Sequence, residues 1–94
     1  MKLIWTRNAP EDLISIEKYI AKDNPKKAIE FTDQLIDKCE NLKENPDMRR
    51  VVPELQIQQV RELIVKNYRI VYRHIAEEIQ ILTVFEGHRL LPLD

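Results

Sequence analysis

The sequence predicts an α+β fold of order β-α-α-β-β-β. A helical hairpin should pack on one face of a small antiparallel-rich sheet, with residues 1–94 forming a single domain. Two segments in the first half repeat apolar residues at the spacing of an amphipathic helix. Three strand-like runs in the second half are joined by links of only two residues. Such links can join antiparallel strands but are too short for the crossover of a parallel pair.

The first strand and the first helix occupy the N-terminal quarter of the chain. Residues 2–6, KLIWT, predict a short strand. Asn8 is the expected helix cap, because Pro10 suits a first turn and Glu11 lies three residues after Asn8, as in a capping box. We expect this helix to run to about Lys22. Its predicted apolar stripe is formed by Leu13, Ile16, Ile20 and Ala21.

A second helix is predicted to follow Asn24, which can cap it, with Pro25 at its first position. It should end near Glu44, because Pro46 disfavours helical backbone at the preceding residue. Its apolar stripe is predicted to contain Ala28, Phe31, Leu35, Cys39 and Leu42, widened by Ile36. The gap between the two helices is so short that they should form an antiparallel hairpin.

The second half of the chain is predicted to supply the rest of the sheet. Residues 45–55, NPDMRRVVPEL, contain two prolines and predict an irregular connector. Strands are expected at about 58–65, 68–76 and 79–86, linked by Lys66-Asn67 and by Glu77-Glu78. In the middle strand, alternation predicts that Tyr68, Ile70 and Tyr72 face the helical hairpin.

Composition restricts the classes of function. The chain has a net charge of −1, with 44% hydrophobic and 33% charged residues, which is typical of a globular protein and not of a polyanion binder. The charge is uneven, since residues 48–75 contain six Lys or Arg against two Glu, a local net of +4. The lone cysteine, Cys39, fits a reducing compartment, and we found no signal-peptide core or membrane-spanning run. These observations predict a cytoplasmic protein that does not associate with membranes.

Several kinds of chemistry lack the residues they need. A single glycine, Gly87, excludes a glycine-rich phosphate loop and a dinucleotide fingerprint. Cys39, His74 and His88 do not have the spacing of metal ligands, so neither a metal site nor a cofactor is expected. Cys39 is predicted to be a buried core thiol, and His74 to lie at the rim of the sheet.

Arginines in the predicted strands are the main candidates for a binding site. Arg61, Arg69 and Arg73 lie on adjacent strands, where same-face Cβ atoms are about 4.5–5.5 Å apart. We expect them to form one cationic cluster, with Glu62 on the opposite face of its strand. The cluster would bind phosphates or an acidic peptide, and Arg89 and His88 could join it from the end of the last strand. The alternative is that each arginine is solvated or paired within the chain, with Glu54, Glu77, Glu78 or Glu86.

A family resemblance runs along essentially the whole chain. Its strand signatures are VREL at 60–63, YRIVYR at 68–73 and ILTVFEGHR at 81–89, together with PEL at 53–55. Its N-terminal signature comprises Trp5, Ala9-Pro10, Asp12-Leu13, Ile16, Tyr19-Ile20-Ala21, Asp23-Asn24-Pro25 and Lys27-Ala28. With these features in the order given above, the chain resembles the RelE/ParE superfamily of toxins from type II toxin–antitoxin modules. The resemblance implies a protein neutralised by a cognate antitoxin, with which it forms a hetero-oligomer.

The branches of this superfamily differ in target. RelE-like members cleave mRNA in the ribosomal A site, whereas ParE-like members poison DNA gyrase. In the RelE-like pattern Arg69 matches the residue that holds the scissile phosphate, Arg89 the one that stabilises it, and Arg61 a basic residue on the preceding strand. Leu63 replaces a further basic residue and the C-terminal tyrosine is missing, which leaves His88 as the candidate acid or base.

The overall charge favours the ParE-like branch. A protein that binds the ribosome is expected to have a strongly basic surface, and this chain has a net charge of −1. We therefore predict a ParE-like toxin that acts on gyrase. A ribosome-dependent mRNA endoribonuclease and an inactive module that only binds its antitoxin are the alternatives.

Overall fold

The computed structural model describes residues 1–93 and contains the predicted order of helices and strands. The elements are β1 (Lys2–Trp5), α1 (Asn8–Ala21), α2 (Pro25–Asn41), a 3-10 turn (Pro46–Met48), β2 (Arg50–Val51), β3 (Val60–Val65), β4 (Tyr68–Ile75) and β5 (Glu78–Glu86). The predicted α+β class is confirmed. The two-residue strand β2 was not predicted and lies in the segment expected to be an irregular connector.

The five strands form one mixed sheet in the order β1-β5-β4-β3-β2. Strand β1 lies parallel to β5, and the other neighbouring pairs are antiparallel, which the short links predicted for β3–β4 and β4–β5. A β-bulge interrupts the β4–β5 pair, because Tyr72 lies opposite Ile81 whereas Val71 lies opposite Thr83. Leu82 is therefore the extra residue in β5, and the side-chain alternation of β5 shifts there.

Of the two predicted helix caps, the one at Asn24 is confirmed and the one at Asn8 is wrong. The Asn24 side chain accepts a hydrogen bond from the Lys27 amide at 3.1 Å, as predicted for α2. At α1 the cap position is Arg7, already helical at φ −52° and ψ −42°, and it makes no capping side-chain bond. Asn8 lies inside the helix, so the predicted capping box is wrong. A capping residue needs extended backbone, and the chain has already turned from β1 into α1 at Arg7, before Asn8.

Helix α2 ends at Asn41, three residues earlier than expected. The amides of Leu42, Lys43 and Glu44 bond to carbonyls three residues back, at 3.1, 3.3 and 3.2 Å. These bonds belong to a tighter turn than the α-helix, and they satisfy carbonyls at its C-terminal end.

The main core lies between the helical hairpin and the sheet face that it covers, which we call the inner face. Leu35, Cys39, Ile70, Tyr72 and Ile81 are fully buried there. The predicted inward orientation of Tyr68, Ile70 and Tyr72 is confirmed. Burial raises the pKa of the Cys39 thiol to about 12, in agreement with its predicted role as a core residue.

The opposite face, which we call the outer face, has a smaller apolar cluster. Its buried members are Val52, Val60, Val71 and Phe85. Leu55 from the β2–β3 loop, Leu82 from the bulge, and Leu91 and Leu93 from the C-terminal segment pack against them. The outer face is therefore partly covered by the β2–β3 loop and by the C-terminal segment. Within residues 1–93, no helix has the length and apolar character needed to cross a membrane.

The two asparagines at the helix starts provide a matched test. Asn24→Ala removes the bond to the Lys27 amide and should lower stability by about 1 kcal/mol, or roughly 4–8 °C in midpoint. Asn8→Ala should leave the midpoint unchanged or slightly higher, because Asn8 makes no capping bond and alanine favours helix. Thermal unfolding by circular dichroism measures both. Equal losses would show that the cap at Asn24 has no special role.

Candidate functional site

The strand register separates the arginines that were expected to lie together. Arg61 is opposite Tyr72, whereas Glu62 is opposite Val71 and Ile64 is opposite Arg69. Because residues directly opposite share a face, Glu62 lies on the outer face with Arg69, and Arg61 lies on the inner face. The predicted cluster of Arg61, Arg69 and Arg73 is wrong, and so is the expected position of Glu62 away from Arg69.

Arg69 is held by two carboxylates instead. Its Nε donates to Glu62 Oε1 at 2.7 Å, and its Nη2 lies 2.5 Å from the same oxygen. Its outward edge binds both oxygens of Glu54, with Nη1 2.8 Å from Oε2 and Nη2 2.7 Å from Oε1. Arg50 contacts the second oxygen of Glu62 through Nε and Nη2. We call Arg50, Glu62, Arg69 and Glu54 the ion-pair chain.

The ion-pair chain has no net charge, since two guanidinium groups alternate with two carboxylates. The Glu62 side chain is 0% exposed and that of Arg69 only 10% exposed. The Arg69 guanidinium carbon lies 5.0 Å from the centroid of the Phe85 ring, close enough for a cation–π contact. Pairing with Glu54, the alternative weighed from the sequence, is therefore confirmed for Arg69. Its role as a phosphate ligand stays a prediction.

The hydrogen bonds between Arg69 and Glu54 change the pKa of both groups. Hydrogen bonds from Arg69 lower the pKa of Glu54 from 4.5 to about 2. Hydrogen bonding to Glu54 raises the pKa of Arg69 further above its usual value. Both pKa shifts favour the charged forms of Glu54 and Arg69 over the neutral forms.

Arg73 occupies the outer face, where it is bonded to a glutamine. Its side chain is exposed, and its Nε donates to Gln80 Oε1 at 3.0 Å. Gln80 in turn donates to Glu78 at 2.9 Å. Within residues 1–93 no Asp or Glu oxygen lies within 4.0 Å of the Arg73 guanidinium. Pairing of Arg73 with Glu62, Glu77 or Glu86 is thus not seen.

Arg61 holds the connector against the inner face. Its Nη1 donates to the Arg49 carbonyl at 2.7 Å, and its Nε is 3.9 Å from Asp47 Oδ1. The same Asp47 oxygen lies 2.9 Å from Nδ1 of His74. His74 is half-buried at the end of β4, which fits its predicted position at the rim of the sheet. The Tyr72 hydroxyl adds a hydrogen bond to the Pro46 carbonyl.

His88 and Arg89 follow β5 and are exposed. Nδ1 of His88 lies 2.5 Å from Glu86 Oε1, and this hydrogen bond lowers the pKa of Glu86. Arg89 lines a groove between α1 and the end of β5, together with residues that include Asp12, Ser15, Tyr19 and Glu86. Arg69 is not part of that lining. The three arginines of the RelE-like pattern therefore do not converge on one pocket.

The sequence interpretation missed Glu62 as a partner of Arg69 and Arg50 as a partner of Glu62. A signal for Glu62 was present, because the two-residue link Lys66-Asn67 places Val65 opposite Tyr68 and so fixes the register of the whole hairpin. No comparable signal pointed to Arg50, since it lies in a two-residue strand that the sequence did not predict. Among residues 1–93, no three His, Cys, Asp or Glu side chains group in a way that could hold a metal ion.

Comparison with known proteins agrees with the fold. A family model described as the ParE toxin of the type II toxin–antitoxin system parDE matches residues 3–91. A solved structure described as the chromosomal ParDE TA system from P. aeruginosa superimposes with a TM-score of 0.77 and 27% identity. The match covers 92% of this chain and 95% of that one. No curated protein matches the sequence significantly.

Two arginines on the same strand face should respond differently to substitution. Arg69→Gln leaves the buried Glu62 with Arg50 alone and should cost about 3 kcal/mol, a midpoint decrease on the order of 10 °C or more. Arg73→Gln breaks no ion pair within residues 1–93 and should leave the midpoint of the free protein unchanged within about 2 °C. Differential scanning calorimetry of both variants is the measurement. A large decrease for Arg73→Gln would show that this arginine has an internal partner.

The lowered pKa of Glu54 predicts how stability depends on acid. Its usual pKa is 4.5 and its folded pKa is about 2, so its contribution is full above the usual value and is lost as the pH falls through that interval. Glu54→Gln should therefore unfold at a lower temperature at neutral pH and lose less stability on acidification than the wild type. Glu40→Gln, at a surface pair with Lys43, is the matched control. Parallel acid profiles for Glu54→Gln and the wild type would contradict the Arg69 contact.

Proposed function

The chain belongs to the ParE toxin family of type II toxin–antitoxin systems, and from that membership we propose that it arrests growth by acting on DNA gyrase and is neutralised by a cognate antitoxin. The observation that carries the proposal is the family match, which extends from residue 3 to residue 91. The similar solved structure is described as a chromosomal ParDE TA system, which supports a hetero-oligomer of this chain with an antitoxin. A toxin with a gyrase target acts in the cytoplasm, where we propose that this chain resides.

The positions of the arginines favour gyrase over the ribonuclease alternative. A ribonuclease of the RelE-like pattern needs Arg61, Arg69 and Arg89 around one phosphate. Here Arg61 faces the connector, Arg69 is enclosed by Glu54 and Glu62, and Arg89 lines a groove beside α1. Each donor nitrogen of Arg69 already has a carboxylate oxygen as its acceptor. A phosphate would have to displace one of these carboxylates before Arg69 could stabilise it.

Local charge supports the same choice. The segment 48–75 has a net charge of +4 after Glu54 and Glu62 are counted, and these two carboxylates pair with Arg69 and Arg50. The cations of this segment do not all lie on one face, since Arg61 is on the inner face whereas Arg73 and the 60% exposed Arg50 are on the outer face. A surface of this kind lacks the dense positive charge that binding to a ribosome requires.

The proposal predicts a specific phenotype when the chain is expressed. Inducible expression in a bacterial host should stop growth and induce the DNA-damage response, and co-expression of the small protein encoded next to this gene should restore growth. The purified chain should inhibit DNA supercoiling by gyrase in vitro. Primer extension on mRNA from the same induced cells should show no new cuts within codons.

Two results would decide between the alternatives. Discrete cuts within codons, with gyrase activity unaffected, would replace the proposal with a ribonuclease function. Normal growth of cells that contain abundant, folded protein would leave only an antitoxin-binding module. A matched control is Arg73→Gln, which should keep its fold, so any loss of toxicity in that variant reports on a contact and not on stability.

A further inference from the structure

We propose that the outward edge of Arg69 is a docking site for an acidic side chain of a protein partner, and that Glu54 occupies this site in the free chain. We call it the Glu54 site. It consists of the Nη1 and Nη2 atoms of Arg69, which bind the two Glu54 oxygens at 2.8 and 2.7 Å. The inference concerns the free protein and does not depend on which cellular target the toxin has.

The two carboxylates bound to Arg69 are not equivalent. The Glu62 side chain is 0% exposed and has two arginine partners, so its removal would strand buried charge. The Glu54 side chain is 43% exposed, and Arg69 is its one ion-pair partner within residues 1–93. Glu54 can therefore move into solvent at a far smaller cost than Glu62. Of the two contacts, only the one with Glu54 can be exchanged.

Arg69 would keep its orientation if Glu54 moved away. Its Nε remains bonded to Glu62 at 2.7 Å, and its guanidinium remains against the Phe85 ring. A guanidinium fixed in this way presents two parallel donors, which is the geometry that binds a carboxylate through both oxygens. The site is thus preorganised, and a partner would not have to order the arginine side chain.

Glu54 is carried by a loop whose hydrogen bonds are mostly local. The loop joins β2 to β3, and the amides of Leu55 and Gln56 both bond to the Val52 carbonyl, at 3.1 and 2.9 Å. Gln56 has a φ of 53°, a left-handed conformation that a residue with a side chain rarely adopts. The backbone bonds of residues 53–56 are thus made to Val52, which is fully buried, and not to a neighbouring strand.

The surroundings indicate a protein partner and not a free small anion. Glu54 competes from within the chain at a high effective concentration, so a ligand must bring further contacts to displace it. Those contacts are available on the outer-face cluster, whose member Phe85 lies against the Arg69 guanidinium. Three leucines on that cluster are only partly buried: Leu55, Leu91 and Leu93. A segment with one Asp or Glu flanked by aliphatic residues would reproduce what Glu54 and Leu55 do in the free chain.

The first test removes the internal occupant and supplies a carboxylate from solution. Glu54→Ala should have a lower melting temperature than the wild type, and sodium acetate should restore part of the loss in a saturable manner. Sodium chloride at the same ionic strength should not. The wild type and the control Glu40→Ala should show no response specific to acetate. If Glu54→Ala does not fold, Glu54→Ser is used in the same way, and failure of both to fold would overturn the proposal.

The second test measures whether aliphatic contacts beside the carboxylate strengthen binding. A capped peptide that copies residues 52–55, Val-Pro-Glu-Leu, should stabilise Glu54→Ala at a concentration at least about tenfold below that of acetate, since aliphatic contacts add to the ion pair. The same peptide with Gln in place of Glu should have no effect. Equal potency of peptide and acetate, or a stronger response to inorganic phosphate than to acetate, would overturn the assignment to an acidic protein segment. Because both tests use purified protein alone, their outcome is separate from that of the growth and gyrase assays.

Discussion

The buried carboxylate of Glu62 is the constraint on which the outer face depends. Burial of a carboxylate at 0% exposure costs on the order of several kcal/mol of folding free energy unless the charge is paired and hydrogen-bonded. Arg69 on the neighbouring strand and Arg50 on β2 meet that requirement from two sides. The two-residue strand β2 is needed for this arrangement, because its pairing with β3 places Arg50 directly opposite Glu62. The β2–β3 loop is then fastened by Glu54, which closes the remaining edge of Arg69.

This constraint explains why a small sheet carries arginines in its central strand. Arg69 is enclosed between two carboxylates and an aromatic ring, whereas Arg73 two residues later is exposed and bonded to a glutamine. Two of the six Lys and Arg side chains of residues 48–75, Arg50 and Arg69, are thus neutralised where they lie. The two carboxylates also occupy the Arg69 donors that a phosphate would need.

Much of the fold followed from local patterns in the sequence. The apolar stripe of α2 and the Asn24 cap were predicted, because both depend on residues within a few positions of each other. The same holds for the inward face of β4. The Asn8 cap failed because the conformation of Arg7 is decided by the exit from β1, which is a tertiary feature. The parallel position of β1 next to β5 brings together residues more than 70 positions apart, and no local pattern encodes it.

The site was less predictable than the fold, for a physical reason. Whether an arginine is free or paired depends on which side chains the register brings opposite it. The two-residue hairpin link was sufficient to predict that Glu62 shares a face with Arg69, since it fixes the register that places Ile64 opposite Arg69. Glu54 and Arg50 reach Arg69 and Glu62 from a segment without periodicity, so their contacts could be found only in three dimensions. The exposed positions of His88 and Arg89 beside the end of β5 likewise depend on how the C-terminal segment crosses the sheet.

The most direct measurement of this account is a double-mutant cycle between Glu62 and Arg69. Chemical unfolding of the wild type, Glu62→Gln, Arg69→Gln and the double variant gives the coupling free energy of the two side chains. A buried, hydrogen-bonded pair predicts a favourable coupling of at least about 1.5 kcal/mol, with the double variant more stable than the sum of the single losses implies. A coupling below about 0.5 kcal/mol, the value typical of exposed pairs, would contradict the claim that this ion pair organises the outer face.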